Sequence, residues 1–80
     1  MDSRKTFSER FAALRQNKQV SFAALGAHLG VTDEAVRLME KGKRAPSFDV
    51  LIALADYFDV SLDYLVGRTD NPKRQLNGEG

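Results

Sequence analysis

The chain contains no cysteine, a single histidine and only two prolines. Without thiols it can form neither a disulfide nor a thiolate metal site. The lone histidine, His28, lies between Ala27 and Leu29 and reads as a surface residue of a helix rather than a base. No Gly-rich phosphate loop and no nucleophile elbow is present, so the usual parts of an enzyme are missing. Asp49, Asp56, Asp59, Asp63 and Asp70 are too dispersed for a metal cluster, and three of them fit caps and helix ends. No cofactor is implied. The longest apolar run, Val50 to Ala55, falls far short of the ~20 residues that cross a bilayer. Met1 is followed by Asp2, Ser3, Arg4 and Lys5, which is not the opening of a signal peptide. A cytoplasmic location is the expectation. Internal repeats and the apolar alternation of strands are also lacking.

What remains is 80 residues with an ordinary apolar content of 42%, enough for one small core. Net charge is only +1, but it is unevenly placed. Residues 1–44 hold nine Lys/Arg against five Asp/Glu, whereas residues 45–80 hold three against six. A basic half and an acidic half are compatible with one surface that faces an anion, or simply with scattered solvating charge.

Apolar spacing divides the chain into helices. Residues 1–5 are expected to be a flexible arm. Thr6-Phe7-Ser8-Glu9 has the capping-box form, and Phe7, Phe11 and Leu14 mark one buried face of a first helix that ends near Lys18. Ser21 caps a second helix, in which Leu25 and Leu29 share a face. Gly30 supplies the reversal, and Thr32 caps a third helix with Val36 and Met39 inward and Gly42 at its end. Gly26 stands where two crossing helices would approach closely. This spacing is that of a helix-turn-helix. After the basic loop at Lys43, Arg44, Ala45 and Pro46, Ser47 caps a fourth helix over about Phe48 to Phe58. Its apolar residues nearly encircle it, so it is either central or shares a second face with a partner. Ser61 begins a short fifth helix, Gly67 ends it, and residues 68–80 read as a flexible polar tail containing Asn71-Pro72 and an isolated Leu76.

Over about residues 7–67 the sequence resembles the repressor-like, XRE-type helix-turn-helix domains of phage repressors, Cro-type proteins and many bacterial regulators. LGAHLGVTDEAVRLMEKGKRAPS matches the central block, and DYFDVSLDYLVGRTDNP resembles the ending common in single-domain regulators of Gram-positive bacteria. No single match is specific, but the joint spacing is. The resemblance implies an all-α domain of five helices that binds double-stranded DNA and regulates transcription as a repressor. It also implies that Arg15, late in the first helix, pairs with Glu40.

In that fold the helix over residues 32–41 lies in the major groove with its first residues at the base edges. Thr32, Asp33, Glu34, Arg37 and Leu38 are therefore the base-facing candidates, with Phe22 just after the first cap. Lys41, Lys43, Arg44 and the cap Ser47 suit phosphates. The residue types depart from the family, which favours glutamine, arginine or small polar residues at these places. Glu34 can accept from the N4 amino group of cytosine, while Asp33 and Glu34 also favour their own helix through its dipole. Arg37 either donates to guanine or phosphate, or pairs with Asp33 or Glu34. Phe22 and Leu38 either pack together, touch thymine methyls or form an apolar patch for a protein partner. An antirepressor or adaptor on the same fold is the alternative function. A homodimer is expected, with Val50, Leu54, Tyr57, Leu62, Tyr64 and Leu65 as dimer candidates.

Overall fold

A computed structural model describes residues 3–74 of the chain. Five helices follow one another: α1 (Ser3–Lys18), α2 (Phe22–Leu29), α3 (Asp33–Glu40), α4 (Phe48–Phe58) and α5 (Leu62–Leu65). Among the described residues there is no strand, and no helix is long and apolar enough to cross a membrane.

Four helices begin on a hydroxyl residue whose side chain accepts a backbone N–H three residues on. The pairs are Ser21 with Ala24 (3.0 Å), Thr32 with Ala35 (3.0 Å), Ser47 with Val50 (3.2 Å) and Ser61 with Tyr64 (3.0 Å). Each satisfies a donor that the helix itself leaves unpaired. The ends share a design too. After each helix one residue turns to positive φ: Gln19, Gly30, Gly42, Asp59 and Gly67. The next N–H then reaches back to a carbonyl of the last turn, as in Val31 to Gly26 (2.9 Å) and Lys43 to Leu38 (2.9 Å). This is the Schellman closure.

The first helix differs from the sequence expectation. It starts at Ser3, so Thr6 lies within α1 and does not cap it, and residues 3–5 are helical rather than an arm. Nothing in Ser3-Arg4-Lys5 opposes helix extension once a turn exists. Ser3 and Arg4 also dock, lining with Phe7 an apolar recess of about 170 Å³ over Ala45, Pro46, Leu51 and Val66.

The core is formed by Phe7, Phe11, Leu25, Val36, Met39, Val50, Leu54, Ala55, Val60 and Leu65. Phe7 and Phe11 stack at 5.6 Å between centroids, and Phe58 meets Phe11 edge-on at 6.2 Å. Residues from every helix contribute, which ties α2 and α3 to a common platform. Val50, Leu54 and Leu65 were candidates for a dimer contact, but all three are buried in this core and unavailable to a partner. Of the apolar residues that nearly encircle α4, Val50, Leu54 and Ala55 are buried, whereas Phe48 is exposed.

Residues 68–74 correct the expectation of a free tail as far as they are described; Leu76 lies outside the described residues. Arg10 on α1 donates to the backbone carbonyls of Tyr64 and Thr69 and to the Asp70 carboxylate (2.8 Å). Its guanidinium also stacks on the Tyr64 ring at 4.2 Å. The Ser61 N–H donates to the Pro72 carbonyl (3.0 Å), and Arg74 donates to Asp56 (2.7 Å). The segment is a strap laid across α1, α4 and α5.

Candidate nucleic-acid interface

The close approach of α2 to the start of α3 sets the geometry of the site. A Cβ on Gly26 would meet the Val31 carbonyl oxygen at 2.8 Å, closer than real contacts allow. Only glycine lets the two segments come so near. The turn at Gly30 (φ 77°) then delivers Thr32, Asp33 and Glu34 to the surface as the first turn of α3. All three are exposed, as are Lys41, Lys43, Arg44 and Ser47. Ala35, Val36 and Met39 face inward, so α3 has one buried side and one free side.

Arg15 clamps this unit from behind. It donates through Nε and Nη2 to the two carboxylate oxygens of Glu40, and through Nη1 to the Val20 carbonyl (3.0 Å). Both side chains are largely covered, at 17% and 15% exposure, so the pair is shielded from solvent. The hydrogen bond to Glu40 raises the Arg15 pKa; partial burial opposes this and the Glu40 charge adds to it. A raised cation pKa stabilises the fold below its ordinary value and fades only as pH climbs through the raised one. Arg15 is therefore a permanent charge at any working pH.

Phe22 is half-buried and packs against the core margin. The Arg15 guanidinium lies over its ring at 4.3 Å and that of Arg37 at 5.4 Å. Arg37 also donates to Glu34 across one helical turn. At this exposure an ion pair of that spacing contributes only a few tenths of a kcal/mol, and the cation–π contact about 0.5–1 kcal/mol. Leu38 is half-buried. Phe22 and Leu38 are thus each partly covered.

The remaining dimer candidates are scattered. Tyr57 is half-buried, 4.7 Å from the His28 ring and beneath the Lys18 ammonium at 5.1 Å. Tyr64 carries Arg10, and Leu62 is 36% exposed. The largest exposed apolar side chain is one that sequence reasoning did not single out. Phe48, in the first turn of α4, is 74% exposed. Encirclement of α4 by apolar residues hid which of them would be left outside. Among the described residues no group of His, Asp and Glu could hold a metal.

A capped helix pair joined by a tight turn, with an exposed second helix and a basic loop behind it, agrees with what sequence comparison finds. A family model described as helix-turn-helix matches residues 11–65. The chain belongs to the repressor-like, XRE-type helix-turn-helix family. This is a family of transcription-regulator DNA-binding domains, not an enzyme family. The HTH-type transcriptional regulator YqaE of Bacillus subtilis is 36% identical over 67 residues, 84% of this chain and 58% of that protein. YobD of the same organism is 30% identical over 66 residues, 82% of this chain and 59% of that protein. The chain therefore spans a little under three-fifths of the length of these two regulators. The regulator y4dJ of Sinorhizobium fredii is 34% identical over 70 residues, 88% of this chain and 91% of that protein. Among solved structures, the P22 c2 repressor in complex with synthetic operator 9T superposes with a TM-score of 0.71. Identity is 33%, covering 75% of this chain and 91% of that one.

Proposed function

We propose that this helix-turn-helix protein is a transcriptional repressor that binds a specific double-stranded DNA sequence as a homodimer in the cytoplasm. The helix α3 lies in the major groove with Thr32, Asp33, Glu34 and Arg37 at the base edges. Lys41, Lys43 and Arg44 hold the phosphate backbone, and the N-termini of α2 and α4, at Ser21 and Ser47, add backbone N–H groups to it. The observation that supports this most is the outward presentation of the first turn of α3 beside three exposed cations. The resemblance to a repressor structure containing its operator supports the same reading. Two subunits would read half-sites about 34 Å apart, one helical turn. Leu62, Tyr57 and Tyr64 remain as dimer candidates, joined by the exposed Phe48.

A protein-docking role for Phe22 and Leu38 has little support, because the Phe22 ring carries two guanidinium groups. Selection against random duplex DNA, with sizing of the bound species, tests the proposal. The expected result is a two-fold symmetric site bound by two subunits, with Arg37→Ala weakening binding about tenfold or more and lowering the melting temperature by no more than several degrees. Failure to enrich any sequence, together with binding insensitive to salt, would overturn it.

A further inference from the structure

The side chains Glu34, Arg37 and Phe22 form a single assembly whose chemistry is more specific than a helix in a groove. Arg37 is held twice, by the Glu34 carboxylate one turn earlier and by the Phe22 ring at 5.4 Å. Phe22 belongs to a different helix and is itself held. Its ring packs at the core margin and carries Arg15, which is locked to Glu40 and to the Val20 carbonyl. An arginine on an exposed helix face ordinarily samples many rotamers. This one has a platform.

The pair so held presents a donor and an acceptor side by side. One Arg37 nitrogen serves Glu34, leaving the other N–H groups of the guanidinium to donate outward. The Glu34 carboxylate has a second oxygen and remains well exposed. In the major groove a G·C pair shows the O6 and N7 acceptors of guanine beside the N4 amino donor of cytosine. An A·T pair places the adenine N6 donor between the acceptors N7 and thymine O4, so an arginine spanning the first two positions meets a donor and the carboxylate meets an acceptor.

We propose that Glu34 and Arg37 read one G·C base pair in each half-site as a joined unit, Arg37 on guanine and Glu34 on cytosine, and that Phe22 is the positioning residue that holds the unit in register. This rests on the DNA-binding reading above. Phe22 touches no base in this arrangement and acts through Arg37. The unusual residue types follow from one cause: an acidic residue at the groove is tolerated because its charge is already matched.

The experiment is a binding selection with wild-type protein, repeated with Phe22→Leu, Phe22→Trp and Glu34→Gln. Wild type should enrich a G·C pair at one position per half-site. Phe22→Leu keeps an apolar side chain but removes the ring face, and Glu34→Gln removes the carboxylate charge. Each should lower discrimination at that position about tenfold, and Glu34→Gln, which removes a negative charge facing DNA, should also raise affinity for random duplex. Phe22→Trp retains a ring and should keep the preference. A second measurement needs no DNA: the Arg37 Nε–H should be more ordered than that of exposed Arg44 in wild type, and should loosen in Phe22→Leu. Enrichment of A·T at the Arg37-dependent position overturns the inference alone. So does a preference unchanged by Phe22→Leu, or equal mobility of Arg37 and Arg44. Absence of any duplex binding would overturn the proposed function with it.

Discussion

At the scale of single residues, the molecule is decided by a few positions where one side chain serves several neighbours. Arg15 is the clearest. It satisfies both Glu40 oxygens and a backbone carbonyl, and supports the Phe22 ring. Its removal would leave a largely covered carboxylate without its partner, which is costlier than losing the pair as a whole. Arg15→Ala should lower stability by about 1–3 kcal/mol, the range for charge-assisted hydrogen bonds lost at a shielded site. Urea denaturation checks this, and a change within ~0.5 kcal/mol, the range of ordinary surface substitutions, would show that the clamp contributes little. Arg37 provides the contrast, because its ion pair is open to water and screened. The spacing of Arg15 and Glu40 was visible in the family resemblance. The ring between Arg15 and Arg37 was not, because it joins α1, α2 and α3 and has no sequence period.

At the scale of elements, every helix ends on a residue of positive φ, yet only three of the five are glycine. Gln19 and Asp59 adopt the same conformation at a cost of about 1–2 kcal/mol for an L-residue. Gln19→Gly should therefore be neutral or raise stability by up to about 1 kcal/mol, the excess being offset by greater freedom of the unfolded chain. A shift of the thermal midpoint downwards by several degrees would contradict this. The strap over residues 68–74 is the second lesson at this scale. Arg10→Ala removes its three hydrogen bonds and the stack on Tyr64 together. Limited proteolysis should then cut at residues 68–74 at least several times faster, with little change in the helical circular dichroism. Equal cleavage rates would show that Arg10 does not hold the strap. A stretch rich in polar residues and a turn pair reads as free chain from sequence. Its contacts include Arg10, about sixty residues away, and no local pattern announces such a partner.

For the whole molecule, the relevant quantity is charge on one face. Lys41, Lys43 and Arg44 leave α3 and its following loop in a row of exposed cations. If each meets a phosphate in both subunits of a dimer, the logarithm of the binding constant should fall with the logarithm of salt with a slope of about −5. Fluorescence anisotropy across a salt series measures this. A slope near zero would remove the phosphate contacts from the account, and one of about half that size points to a single subunit on DNA. The residues expected at a dimer contact are where the structure differs most from the sequence expectation. Val50, Leu54 and Leu65 belong to the core, while Phe48 stands outside it. Apolar type predicts burial on average, but it does not say which side of a crowded helix meets the neighbours.

By itself the sequence determined the helices and their joints: hydroxyl residues at Ser21, Thr32, Ser47 and Ser61, the turn at Gly30, and the inward stripe of Leu25, Val36 and Met39. These are local effects, written within one or two turns of chain, and they were enough to specify the helix-turn-helix. Tertiary structure alone decided the start of α1 at Ser3, the strap held by Arg10, the burial of the supposed dimer residues and the setting of Arg37 on Phe22. Each of those depends on side chains brought together from separate helices, where packing rather than spacing chooses the partner.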